Sequence, residues 1–153
     1  MTRNIPTTPC DDPTDTIMAA VAHGMTGNPL LGMNLLGPFV KGGPTTTVSM
    51  CAALASVAVV AFEKQNPGAR GTFGLLAFHG DVPTDISAMP PGPRFAAQFT
   101  AAWANGQQQT AYALFNALLG KETDEDARNL AEGIRALYDM AVTSAQQMRG
   151  GAR

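Results

Sequence analysis

The sequence predicts an all-α domain, a bundle of four or five helices that ends in an antiparallel helical hairpin and has at most one short β element. Apolar residues recur at helical spacing along most of the chain, and glycine or proline stands where these segments begin and end. The stretch Met1 to Pro9 is rich in threonine and proline and can bury little. We therefore assign residues 1–11 to a disordered arm and residues 12–150 to a single helical domain, the usual organisation for 153 residues.

The first helix is expected to begin after Asp12. This aspartate suits the N-cap, Pro13 suits the first helical position, where no N–H is needed, and Asp15 places a carboxylate in the first turn. The apolar residues that repeat on one face are Ile17, Met18, Val21 and Met25. Gly24 and Gly27 predict the end of this helix.

The next segment, Leu30 to Val40, is apolar but interrupted by glycine and proline. One interpretation is a short helical turn that packs its leucines onto the core. The other is an exposed apolar segment that binds a partner or touches lipid, since contiguous exposed apolar surface usually marks an interaction site. If the segment forms an interface, we expect Leu35, Leu36 and Phe39 to take part in it.

A second helix is predicted from Pro44 to Phe62, and Asn66-Pro67-Gly68 follows it. It is apolar on nearly every side, which is typical of the central helix of a bundle or of a membrane span. The serines and threonines within this segment make it less suitable as a membrane span. We therefore predict that this helix is buried at the centre of the domain.

The region from Gly68 to Pro93 loses the helical period and predicts at most one minor β element. His79, Asp81 and Asp85 lie close together there, and imidazole and carboxylate groups are ligands for metal ions or serve as general bases. These three residues are the candidate metal ligands of the sequence. They support an alternative hypothesis of a small-molecule-binding or metal-dependent enzyme.

Helical spacing returns at Arg94 and continues to the glycine at Gly120, with Asn105-Gly106 in between. Because glycine is unfavourable inside a helix, we expect a kink or a close helix crossing at Gly106. The aromatic stripe of this segment, which we assign to the core, comprises Phe95, Phe99 and Trp103. Thr123 and Asp126 then have the spacing of a capping box, so the last helix begins there and turns back on the preceding helix.

Composition restricts the classes of function. The net charge of −2 supplies no positive field for a phosphate backbone, which argues against a nucleic-acid partner. Two widely separated cysteines, Cys10 and Cys51, favour a reducing environment, and we expect a cytoplasmic protein without a structural disulfide. No nucleophile elbow or phosphate-binding loop is present in the sequence, so we predict no cofactor and favour a protein without catalytic activity.

Charged residues are scarce and unevenly distributed. Only 14% of the residues are charged, against about 25% in typical soluble domains, so some surface must do without charge. Lys41 is the one charged residue from Thr16 to Phe62, and there is none from Phe95 to Gly120. We therefore expect a non-catalytic interaction or assembly protein that forms a homodimer. Besides the apolar residues given above, the expected interface residues are Gln107, Gln108, Tyr112 and Phe115. Contact of Leu30 to Val40 with a membrane surface is the less favoured alternative.

Overall fold

The computed structural model describes residues 13–65, 77–79, 82–84, 89–121 and 123–151. The described part contains six helices and one two-stranded antiparallel ribbon, which confirms the predicted all-α bundle. The elements are α1 (Pro13–Met25), α2 (Pro29–Lys41), α3 (Pro44–Gln65), β1 (Ala77–His79), β2 (Val82–Thr84), α4 (Pro91–Ala104), α5 (Gln108–Leu119) and α6 (Asp124–Gly151). The predicted arm, residues 1–11, lies outside the described residues.

The structure has six helices, where four or five were predicted, because the helix that begins at Pro91 ends before Gly106. This glycine has φ of +74°, a left-handed conformation that ends a helix. Its N–H binds the carbonyl of Trp103 at 3.2 Å, and the N–H of Gln107 binds the carbonyl of Ala102 at 2.8 Å. These are the two hydrogen bonds of a Schellman motif. The expected kink is therefore a complete break, and α4 and α5 are separate helices.

Helix α3 is the central helix, as predicted. It packs against α1, α2, α4 and α6. The residues it buries include Thr47, Met50, Cys51, Leu54, Ala55 and Ala58. Its first turn is tied to the end of α2, since the hydroxyls of Thr46 and Thr47 donate to the carbonyl of Phe39 at 2.6 and 3.2 Å. No helix in the described part of the chain is long and apolar enough to cross a membrane.

The helices α1 and α2 are attached to α6 through the side chain of Tyr138. This side chain is completely buried, and its hydroxyl donates a hydrogen bond of 2.6 Å to the carbonyl of Ala20 in α1. Two glycines make room for the hydroxyl. A Cβ atom on Gly24 would lie 2.5 Å from the hydroxyl oxygen, and one on Gly32 would overlap that oxygen. The tyrosine therefore occupies a notch that only glycine leaves open.

A second glycine contact brings α4 onto α6. A Cβ atom on Gly92 would lie 2.6 Å from the Cβ of Glu132 and 2.9 Å from the backbone nitrogen of Gly133, so the two helices touch backbone to backbone. Phe95, one turn further along α4, is buried over Gly133. Phe95 and Phe99 of the aromatic stripe belong to the core, as expected, and the half-buried Trp103 packs against it.

The last helix begins with the predicted capping box. The backbone N–H of Asp126 donates to the hydroxyl of Thr123 at 3.1 Å. In return, Oδ2 of Asp126 accepts the N–H groups of Lys121 and Thr123 at 2.9 and 3.3 Å. These hydrogen bonds hold the pKa of the Asp126 carboxyl below its ordinary value. Gly120, with φ of +57°, lies against this carboxylate, and α6 thus starts at a fixed position after α5.

The substitution Gly32→Ala tests the notch around Tyr138. The added methyl group would overlap the tyrosine hydroxyl and approach the carbonyl of Ala20, so we expect a loss of roughly 1 to 3 kcal/mol in unfolding free energy. Chemical denaturation measures this value. Asn34→Ala, at an exposed position of the same helix, is the control and should leave stability unchanged or slightly higher. Equal stability of both variants would contradict the described contact.

The substitution Thr123→Ala tests the capping box and should cost about 1 kcal/mol of unfolding free energy. Thr143→Ala, at an exposed position inside α6, should instead be neutral or slightly stabilising, because alanine favours helix.

The same cap should respond to acid. The pKa of Asp126 is lowered in the folded state, so the ionised carboxylate stabilises the fold. This contribution to the free energy of unfolding is present above about pH 4, the ordinary pKa of aspartate, and is lost as the pH falls through the lowered value. Thermal melts from pH 2 to 6 should show a smaller acid dependence for Thr123→Ala than for the wild type.

Candidate interaction surface

Helix α5 lies at the edge of the bundle and packs mainly on α4. It buries Ala111 and Phe115 and leaves most of its other side chains in solvent. We call these residues the α5 surface: Gln107, Gln108, Gln109, Thr110, Tyr112, Ala113, Asn116 and Ala117. No charged side chain lies on it, so the solvent-facing side of this helix offers amides, two hydroxyls, methyl groups and one aromatic ring.

A cleft of about 340 Å³ continues the α5 surface onto the first turns of α3. The residues that line it are Pro44, Thr45, Val48, Ser49, Tyr112, Phe115 and Asn116. None of them carries a charge. The uncharged area thus extends over two helices that are far apart in the sequence.

The one aromatic ring of the α5 surface is held by other rings. Tyr112 is 42% exposed, and its ring packs edge-to-face with the Trp103 ring at 6.4 Å between centroids. Trp103 stacks on the buried Phe99 at 6.1 Å and donates a hydrogen bond of 2.9 Å from Nε1 to the hydroxyl of Ser56. A surface tyrosine fixed in this way loses little conformational entropy on binding, a property of good interface anchors.

The segment Leu30 to Val40 is part of the helix α2, and it combines features of both sequence interpretations. Leu36 is buried in the core, whereas Leu30 and Leu31 are 74% and 48% exposed. Val40 is also partly exposed. The helix therefore packs on the domain with one face and presents aliphatic side chains to solvent with another.

The structure divides the expected interface residues into three groups. Gln107, Gln108 and Tyr112 are exposed, and Leu35 and Phe39 are half-buried. The remaining two, Phe115 and Leu36, are 2% and 1% exposed and belong to the hydrophobic core. They follow Ala111 and Gly32 by four positions, so each lies on the buried face of its helix. These two side chains therefore pack in the core beneath the exposed residues of α5 and α2.

The candidate metal ligands are only partly described. His79 ends β1, where it pairs with Val82 of β2, while Asp81 and Asp85 lie outside the described residues. The metal site stays a prediction, and the described part of the chain holds no other cluster of metal-binding side chains. Cys51 is buried in α3, and burial raises the pKa of its thiol to about 12, so it is not a nucleophile at neutral pH.

A second pocket, which the sequence did not predict, lies where α4, α5 and α6 meet. We call it the three-helix pocket; its volume is about 190 Å³. The residues that line it are Pro91, Arg94, Phe95, Gln98, Leu114, Ala117, Leu118, Asp126 and Asn129. The four residues of α4 that line the pocket follow the helical spacing i, i+3, i+4, i+7, and this spacing can be read from the sequence. Only the fold shows that polar and apolar residues of this face line a common space with two other helices.

We compared the chain with known protein families, curated proteins and solved structures, and none of the three comparisons gave a match.

Proposed function

We propose that the protein is a non-catalytic interaction protein that associates with a second copy of itself through the α5 surface and the adjoining cleft. The observation that supports this proposal is the extent of exposed surface without charge, which covers α5 and the first turns of α3. Water-facing helices usually carry charged side chains. A helix that exposes amides and an anchored tyrosine instead suits an interface, because its desolvation costs less than that of ionised groups.

The chemistry of this surface suits a second copy in particular. In a two-fold dimer the same patch meets itself, so every charge on the patch would face a like charge or need a partner placed by symmetry. An uncharged patch avoids this repulsion. The amides of Gln107, Gln108 and Asn116 each donate and accept hydrogen bonds, so identical side chains can pair across the axis. The cleft beside Tyr112 gives room for a side chain of the second copy.

The substitution Gln108→Glu tests this proposal. It changes an amide to a carboxylate of the same shape, and in a symmetric dimer it introduces two like charges at the interface. We expect the dimer dissociation constant to rise at least tenfold, as measured by light scattering coupled to size exclusion over a range of micromolar concentrations. Gln147→Glu makes the same change at an exposed position of α6 and should leave the dimer intact. A wild-type protein with a monomer mass at every concentration would refute self-association.

Exposure of the leucines in α2 favours a second candidate function, peripheral association with a membrane surface. Leu30 is the most exposed large apolar side chain of the described residues. Lys41, the only charged residue of α2, is basic and would be attracted to anionic lipid headgroups. Such contact would place Leu30 and Leu31 at the acyl boundary, as in amphipathic helices that lie in the interface.

Vesicle co-sedimentation tests this second function. If α2 contacts lipid, Leu30→Asn should lower the bound fraction on vesicles of phosphatidylserine and phosphatidylcholine, because apolar area leaves the membrane contact. Val60→Asn removes an aliphatic side chain that is 45% exposed on α3 and serves as the matched control. A wild-type protein that stays in the supernatant would exclude membrane association under these conditions.

A further inference from the structure

Helices α2 and α6 each present an apolar stripe to the same space, a trough of about 240 Å³. None of the residues that line it has a polar side chain, and in each helix these residues follow the spacing i, i+3, i+4, i+7. A stripe at this spacing normally packs against another apolar element. We call this space the α2–α6 trough, and its lining residues are Met33, Leu36, Gly37, Val40, Ala127, Leu130, Ala131 and Ile134.

The trough is open space rather than a closed seam between the two helices. A Cβ atom added to Gly37 would have no described atom of a neighbouring helix within 4 Å. Leu36 and Ile134 are buried and form the floor of the trough. Met33 and Leu130 are half-buried at its sides. These side chains therefore border a space that no described residue fills.

The dimensions of the trough suit an extended chain. Its lining covers Met33 to Val40 and Ala127 to Ile134, which is about 10 Å of each helix at about 1.5 Å per residue. Over this length, 240 Å³ gives a mean cross-section of about 24 Å², or about 5 Å in width. A helix of a partner or of a second copy is about 10 Å wide and does not fit. Because carbon atoms in contact lie about 4 Å apart, one unbranched aliphatic chain fits this width.

The volume sets the length of that chain. A methylene group takes roughly the volume of a water molecule, about 30 Å³, so the trough holds about eight carbon atoms. A leucine side chain inserted by another protein would fill only about half of this space. Acyl chains of a membrane extend over about 15 Å, half the hydrocarbon thickness of a bilayer, and are longer than the trough. The occupant that fits is therefore a free molecule with a chain of medium length.

One end of the trough is closed and the other is open. Tyr138 follows Ile134 by one turn of α6, and its hydroxyl fills the notch at Gly32 of α2. The two helices therefore meet at this end. Val40 and Ala127 lie at the opposite end, and both are exposed. The polar head of a ligand can remain in solvent there.

We infer that the α2–α6 trough binds a small molecule with an unbranched aliphatic chain of about eight carbon atoms, whose polar head lies in solvent beside Val40 and Ala127. Since no polar side chain lines the trough, binding is driven by burial of the aliphatic chain. The affinity then depends on the length and shape of this chain rather than on hydrogen bonds to the protein.

Isothermal titration calorimetry of the full chain with 1-butanol, 1-hexanol, 1-octanol and 1-decanol tests this inference. These alcohols are uncharged and differ only in chain length. The association constant should rise roughly threefold with each added methylene group up to 1-octanol, because each group buries further apolar area. From 1-octanol to 1-decanol it should rise by less than about threefold in total, because the trough is then full. No binding of 1-octanol up to its aqueous solubility would overturn the inference.

Two variants fill the trough from opposite walls, Gly37→Leu on α2 and Ala131→Leu on α6. Each leucine occupies about half of the space for the chain, so each variant should bind 1-octanol at least about tenfold more weakly. Both should fold, as circular dichroism can verify, because Gly37 borders open space and Ala131 is exposed. Asn34→Leu adds the same side chain at an exposed position of α2 outside the trough and should bind 1-octanol with unchanged affinity. Wild-type affinity in either filled variant would place the alcohol elsewhere and contradict the inference.

Cyclooctanol tests the shape of the site. It has as many carbon atoms as 1-octanol, but its ring is wider than one extended chain, so it should bind at least about tenfold more weakly. Equal affinity for the two alcohols would show that the site does not select an extended chain. None of these titrations bears on self-association or membrane contact, because Gln108 and Leu30 do not line the trough.

Discussion

The hydrogen bond from the buried Tyr138 hydroxyl to the carbonyl of Ala20 is the constraint on which the arrangement of the bundle depends. A buried hydroxyl needs a partner, and here the partner is a backbone atom of another helix. Burial raises the pKa of Tyr138 and so favours the protonated hydroxyl, the form that donates this hydrogen bond. The bond forms only because Gly24 and Gly32 leave space for the oxygen. This contact thus links α1 and α2 to α6.

The long helix α6 extends this constraint to the rest of the molecule. Its middle part meets α4 at Gly133, where the two backbones touch, and its first turn is fixed by the capping box at Thr123 and Asp126. Helix α5 lies between these two points and is joined to α4 by the turn at Gly106. Its outer side chains therefore have no further helix to pack against among the described elements. The α5 surface and the three-helix pocket both result from this placement.

Local features of the sequence were sufficient to predict the helices and several of their ends. The left-handed glycine at Gly27, the capping residues Thr123 and Asp126, and the apolar pattern of α3 each act within a few residues, where sequence patterns are informative. Contacts between distant residues were not predictable in this way. Tyr138 and Ala20 are 118 positions apart, and nothing near either residue indicates that a glycine notch joins them. The three-helix pocket was missed for the same reason.

The shortage of charged residues has different physical causes in α3 and in α5. Only a shortage that burial does not explain is informative about function. In the middle of α3 the cause is burial, since the helix packs against four others and buries Met50, Cys51, Leu54 and Ala55. In α5 burial explains only Ala111 and Phe115, because the amides and Tyr112 remain in solvent. A sequence pattern alone cannot separate these two cases, as neither the stretch from Pro44 to Phe62 in α3 nor any part of α5 contains a charged residue. Once the middle of α3 is assigned to the interior, the uncharged side of α5 is not explained by burial against any of the described residues. We propose contact with a second molecule as the arrangement that accounts for it.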